Sequence, residues 1–326
     1  MEDNEENNNI PKEDLNNIIE IVNEIKSGQD SNEVNPERIY DLFYYVKRVS
    51  DKNYKGGNQI SDLFTNNLLF LFRTLLLQEK GVRLLIMKII RYNIQIDPEF
   101  TIKLLDSLYP IVICKIMEDF KKSTFEERYE CLKVINVWLK YSDHNFPLIF
   151  CQAVAAMSRA DEIFKTGCID FMRNLGVVRP DLCSTVGGFR VLINTLLDEN
   201  YKDINDNIFN SLLYIINSPK KRKYFNGFND LYKIFSIFTK SDFCLDGQNT
   251  NEKDNNNANN KQQAEKGEDK NKLEQQLKVS KTIIKKLLNT WPGYSLIMGE
   301  YVNGFGHPSF EYRYKYDNKN RNIAHA

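Results

Sequence analysis

The feature that most restricts the fold of this chain is the spacing of its apolar residues, which recur at intervals of three and four almost throughout. GVRLLIMKIIRY (81–92), ERYECLKVINVWLKY (127–141) and NIFNSLLYIIN (207–217) each place a wide apolar stripe on one side of a 3.6-residue helix. Strand-like alternation is not sustained over any useful length, so no pair of strands is available to make a sheet. The pattern predicts helices at about 12–26, 36–50, 61–78, 81–93, 98–120, 125–141, 146–159, 161–177, 187–200, 204–217, 229–238 and 273–289. Pro110 falls inside the fifth of these and should kink or divide it. Asn35-Pro36, Asp97-Pro98 and Ser218-Pro219 each set a capping side chain before a proline suited to the first helical position. Ser123 and Thr124, followed by Glu126 and Glu127, give overlapping capping-box patterns.

A longer period is superimposed. The strongly apolar helices centred near Met87, Leu132, Ile169, Leu212 and Leu288 recur at roughly 40-residue intervals, the last delayed by a polar insertion, and each is flanked by another amphipathic helix. A helix apolar on more than one face must be sandwiched, and repetition of such helices with covering companions is how armadillo and HEAT-like units are built. The fold class expected is therefore all-α: an armadillo/HEAT-like helical-repeat solenoid with a disordered internal insertion. A helical bundle is the alternative, because the units share little residue identity.

Two segments cannot bury enough apolar surface to offset their ordering entropy: the acidic, Asn-rich start and the Asn-, Gln- and Lys-rich stretch from 246 to 272. The expected organisation is a disordered N-terminus at 1–12, repeats over 13–245, a low-complexity insertion at 246–272, further repeats over 273–299 and an irregular tail at 300–326. The helical pattern resumes directly after the insertion, so it reads as an elaborated loop. Lys+Arg and Asp+Glu are equal at 44 each, which gives the whole chain no bias toward nucleic acid or anionic lipid; any such binding must be local. No apolar run is long enough to span a bilayer.

Chemistry-bearing residues are scattered. Cys114, Cys131, Cys151, Cys168, Cys183 and Cys244 mostly lie in apolar helical runs with no CxxC pairing, and read as reduced core thiols. His144, His307 and His325 are far apart and lack cysteines at zinc-ligand spacing. Glu126 and Glu127 fit capping better than acid/base work, and no GxSxG, HExxH, phosphate-loop or kinase signature occurs. No catalytic residue, cofactor site or metal site is expected. Lys220, Lys221, Arg222 and Lys223 form the one dense basic run. Solvated helix surface is its first reading; contact with an acidic partner segment, anionic lipid or nucleic acid is the functional one. Tyr224 and Phe225 beside it, and Trp138 and Trp291 elsewhere, read as helix anchors and core residues.

The run from Glu127 to Asn200 resembles the N-terminal armadillo-like region of the Rictor/Pianissimo family. The features that carry the resemblance are Glu127-Arg128 opening a Leu/Val-rich helix, a short helix over 146–158, a small-residue helix over 167–175 and the double glycine Gly187-Gly188 opening another helix. INDNIFNSLLYIINSPKKRKYF (204–225) and KVSKTIIKKLLNTWPGYSLIM (278–298) continue it downstream, so the likeness covers about 15–298. No single motif is diagnostic, but their order and spacing together are fairly specific. The resemblance implies a non-catalytic scaffold subunit of TOR complex 2. Its implied partners are the TOR kinase, a Sin1-type subunit and AGC-family kinase substrates, with influence on the actin cytoskeleton. It further implies no nucleic-acid partner, membrane association only indirectly, and a cytoplasmic location with recruitment to the plasma membrane as part of a complex. A generic armadillo-type adaptor unrelated to TOR is the other class this sequence admits. After about Gly299 the sequence EYVNGFGHPSFEYRYKYDNKNRNIAHA lacks helical period where the family continues, which is the expectation for a truncated or misjoined product or a fragment.

Overall fold

The computed structural model of the chain describes residues 9–30, 35–52, 54, 56–78, 80–142, 145–160, 162–198, 202–246 and 260–297. It is an all-α helical-repeat fold, and no β-strand occurs among the described residues. The chain divides into two compact units, residues 1–171 and 172–326, with the division inside one helix. No single helix among the described residues is long and apolar enough to cross a membrane.

In the first unit the order is α1 (Lys12–Asp30), α2 (Pro36–Lys52), α3 (Gly57–Asn67), α4 (Leu69–Gln78), α5 (Lys80–Ile96), α6 (Phe100–Asp106), α7 (Tyr109–Glu118), α8 (Phe125–Tyr141) and α9 (Leu148–Ala160), followed by the first part of α10 (Glu162–Val178). Helices α2, α5 and α8 pack side by side as one series; α4, α7 and α9 pack in sequence as another, with α4 also on α5 and α7 also on α8. Stacking between neighbours explains why α5 and α8 are apolar on several sides. Ile86, Met87, Ile89, Ile90 and Ile94 of α5, and Cys131, Leu132, Val134, Ile135, Trp138 and Leu139 of α8, are all buried. The repeat begins one helix earlier than the apolar centres predict. Helix α2 is the first of the series, although its polar side chains hide that from the sequence.

The second unit holds the end of α10, then α11 (Pro180–Thr185), α12 (Gly188–Leu196), α13 (Lys202–Asn217), α14 (Pro219–Arg222), α15 (Gly227–Asp246) and α16 (Asn260–Leu288). Helix α12 packs on α11, α13 and α15, and α15 packs on α16. The double glycine does two different jobs here. Gly187 takes a left-handed φ of 71° to enter α12, and a Cβ on Gly188 would lie 2.6 Å from Cys183 Sγ.

Several expectations are corrected. The stretch 61–78 is two helices bent by 65° at Leu68. Side-chain hydroxyl and amide groups of Thr65 and Asn67 bond back to the carbonyls of Ser61 and Leu63, competing with the regular ladder just before the break. The stretch 98–120, by contrast, is divided in two as Pro110 leads one to expect; the division falls at Leu108, whose φ of 62° is the one left-handed value at a non-glycine among the described residues. Helix α16 begins at Asn260 and runs through residues 260–272. Gln, Ala, Glu and Lys are strong helix formers even without an apolar face. Leu288 closes that helix at 40% exposed and is not its apolar centre; among the described residues Ile283 and Leu287 are its buried apolar side chains. Trp291 is 78% exposed, stacked on Tyr294 at 5.8 Å, and is not a core residue, whereas Trp138 is fully buried. Most of the acidic start, residues 247–259 and everything from 298 onward lie outside the described residues.

Candidate partner-docking site

The basic run is built by a turn. Helix α13 ends at Asn217, and Pro219 opens the four-residue α14 that carries Lys220, Lys221 and Arg222, with Lys223 directly after it. Ser218 makes no side-chain cap, contrary to the sequence pattern; Asn35 caps α2 by accepting from the Glu37 N–H, whereas Asp97 accepts from the Glu99 N–H in a turn ahead of α6, whose N-cap Glu99 makes no side-chain cap. Phe225 anchors the turn, buried against Phe189 with ring centroids 5.2 Å apart.

The four basic residues do not act alike. Lys221 Nζ donates to the carbonyl of Val177 at 2.5 Å and lies 4.6 Å from the centroid of the Tyr214 ring. Val177 is in the last turn of α10, so this ammonium satisfies an orphan carbonyl at the negative end of a helix and is a structural clamp. Lys220 and Lys223 are exposed and Arg222 is half-buried, and no described acidic side chain pairs with any of the three. Lys223 stands 4.8 Å from the Tyr224 ring. The run thus offers three cations outward, not four.

Other chemistry-bearing residues serve the fold. Thr124 and Glu127 form a complete capping box at the start of α8, with Glu127 buried and Glu126 exposed. Cys114, Cys131, Cys151, Cys168 and Cys183 are all buried; the Cys244 side chain lies outside the described residues. Burial pushes the Cys114 thiol up to about 12 and the Cys131 thiol well above the ordinary value. Such thiols stay protonated near neutrality and are poor nucleophiles. No group of three metal-ligating side chains comes together among the described residues, and His144, His307 and His325 fall outside them.

A buried polar cluster that joins α5 to α8 has no counterpart in the sequence motifs. Arg91 Nε donates to Glu130 Oε1 at 2.5 Å, and Lys133 Nζ lies 3.6 Å from the other carboxylate oxygen. The Glu130 side chain is 3% exposed and that of Arg91 16%. Burial, the largest single influence, acts to lower the Arg91 pKa, but hydrogen bonding and charge from Glu130, with a smaller share from Tyr92, leave it raised above the usual guanidinium value. The partners are 39 residues apart, so no local motif records them; the one trace is that this separation matches the repeat period.

A family described as rapamycin-insensitive companion of mTOR, N-terminal region, matches residues 47–303. Proteins named rapamycin-insensitive companion of mTOR from Mus musculus and Homo sapiens are each 21% identical over 235 residues, which is 71% of this chain and 13% of theirs. Protein pianissimo A of Dictyostelium discoideum is 24% identical over 166 residues, 51% of this chain and 14% of that protein. The chain therefore spans a small fraction of the length of these relatives. No solved structure matches. With the family pattern running through both units and covering well over half of the residues, the chain belongs to the family of the N-terminal region of rapamycin-insensitive companion of mTOR.

Proposed function

We propose that this chain is a non-catalytic scaffold component of TOR complex 2, which docks the TOR kinase and a Sin1-type subunit and so supports phosphorylation of AGC-family kinases and control of the actin cytoskeleton. The observation that carries the reading is family membership over residues 47–303. The chemistry of the fold supports it: buried thiols are held protonated and buried carboxylates are spent on caps and ion pairs, while packed helices supply ridged surface for partner segments. On this reading the chain works in the cytoplasm, reaches the plasma membrane as part of the complex, and uses the cations of Lys220, Arg222 and Lys223 as a partner contact.

The test is co-purification of the tagged chain from cells, scored for the TOR kinase and the Sin1-type subunit. Capture of both is the expected result, and capture of neither refutes the proposal. Reversing Lys220, Arg222 and Lys223 to Glu while keeping Lys221 should weaken capture with no change in melting temperature. Undiminished capture removes the basic run from the docking surface.

A further inference from the structure

The outward side chains of α2, α5 and α8 form a second cationic surface, in which Lys88, Arg91, Lys133 and Lys140 are each paired with an aromatic ring. Across the α2/α5 boundary, Phe43 lies 6.1 Å from Tyr92, and Lys88 Nζ is 5.6 Å from the Phe43 centroid. On α5 the Arg91 guanidinium is 4.4 Å from the Tyr92 ring; on α8 Lys133 is 4.5 Å from Tyr129 and Lys140 is 5.1 Å from Tyr141. Lys47 stands one helical turn beyond Phe43 and Tyr44 on the same stripe of α2. Tyr40, Tyr44 and Tyr129 are 57%, 56% and 43% exposed, an unusual amount of ring area to leave in water.

Cations dominate the middle of this face. Lys47, Lys133 and Lys140 are exposed and Lys88 is half-buried, and neither Lys47, Lys88 nor Lys140 has an acidic partner among the described residues. Glu130, the carboxylate within the face, is buried and already held by two cations. Glu37 in the first turn and Asp51 in the last turn of α2, and Glu126 in the first turn of α8, stand at helix ends, and Asp41 is held by Arg38. Since the whole chain carries no net charge, this surplus is a property of the face and not of the composition.

We infer that the α2–α5–α8 face docks an acidic, extended polypeptide segment of a partner. Charge complementarity names the sign of the ligand, and the rings narrow its class. Bases stack on open aromatic faces, but the rings of Phe43, Tyr92 and Tyr129 each have a cation over them. Lipid headgroups are met by lysines projecting freely from a surface, whereas Lys88 and Arg91 are half-buried against rings, within reach of an inserted side chain. The repeat also sets a spacing. Neighbouring packed helices are about 8–10 Å apart, and an extended chain advances about 3.3 Å per residue. A carboxylate at every third residue therefore meets one helix after another. The inference deepens the scaffold proposal and rests on it for the supply of a partner, but the binding itself requires no TOR complex component.

The test is fluorescence-anisotropy titration of the full chain with a labelled twelve-residue peptide bearing Glu at every third position between Ser and Gly. The parallel probes are the same peptide with Lys for Glu, phosphatidylserine vesicles and a single-stranded oligonucleotide. The expected result is saturable binding of the Glu peptide that weakens with added salt, no binding of the Lys peptide, and at least tenfold weaker binding by Lys47→Glu/Lys133→Glu with an unchanged melting temperature. If that pair lowers the melting temperature, the neutral pair Lys47→Gln/Lys133→Gln is read instead and should bind about threefold weaker. Absence of Glu-peptide binding, indifference to both pairs, or tighter retention of vesicles or oligonucleotide through the same lysines overturns the inference. Peptide binding without capture of the TOR kinase would separate this surface from the scaffold proposal, and capture without peptide binding would leave that proposal standing alone.

Discussion

Replacing Glu130 by Ala tests how the stacked helices of the first unit are held. The carboxylate is 3% exposed and is the counter-ion of Arg91, which bridges from the next helix at 2.5 Å. Removing one partner of a buried pair costs about 3–5 kcal/mol, because the remaining charge stays desolvated. Two features put this site at the low end. Arg91 keeps 16% of its side chain in solvent, and the Tyr92 ring at 4.4 Å retains a cation contact worth about 0.5–1 kcal/mol. Lys133 is 46% exposed and adds little. The expected loss is about 3 kcal/mol; at roughly 2–4 °C per kcal/mol for a unit of this size, the transition should fall by about 6–12 °C. Paired replacement by apolar residues of similar volume, Arg91→Met with Glu130→Leu, should be close to neutral. Thermal and urea unfolding followed by helical circular dichroism, for both single variants and the pair, gives the coupling energy. A loss below about 1 kcal/mol for Glu130→Ala, or a double variant as unstable as the single, would refute the reasoning.

Leu108, left-handed and 53% exposed, carries a backbone cost of about 1–2 kcal/mol. Leu108→Gly should relieve more than the added freedom of the unfolded chain takes back, raising stability by up to about 1 kcal/mol in urea melts; a clear loss would show that the side chain packs more than its exposure implies. Native-state alkylation with iodoacetamide at mildly alkaline pH should leave Cys114 and Cys131 almost unmodified, with labelling only on unfolding, because burial holds both thiols protonated. Mass mapping of either in the folded state would contradict this. Asp181 is held below the usual carboxyl range by the hydrogen bond from Arg179, so the pair stabilises the fold above the unfolded carboxyl pKa and loses that contribution as pH falls through the lowered folded one. Asp181→Asn should therefore weaken the second unit at pH 7 and make no difference near pH 2; an equal effect at both would disprove the linkage.

Much of this fold is written in local spacing and is legible for that reason. A helix needs only its own residues to state its period, and 125–141 is helical over the predicted range because Thr124 and Glu127 mark its start unambiguously. Where side chains compete with the backbone, the period misleads: the apolar run through Leu68 reads as one helix but bends, since Thr65 and Asn67 draw off carbonyls upstream. The six-residue α11 is too short to display any period, and only Pro180 hints at it. Burial of single residues near the end of α16 is not encoded locally either, which is why Trp291 reads as a core residue and is found outside.

The candidate surfaces show the same division more sharply. A contiguous basic run such as 220–223 is visible as text, yet the sequence cannot tell that Lys221 is consumed by Val177, 44 residues earlier. Conversely, the α2–α5–α8 face has no run at all. Lys47, Lys88 and Lys133 are single charges in unremarkable amphipathic helices, and they become one surface only because a repeat fold returns the chain to the same place about every 40 residues. In such a fold a binding surface is written down the stack of units and not along the chain. The search for partner contacts in this protein therefore belongs with residues spaced by the repeat, where Arg91, Glu130 and Lys133 already show that side chains from successive units meet.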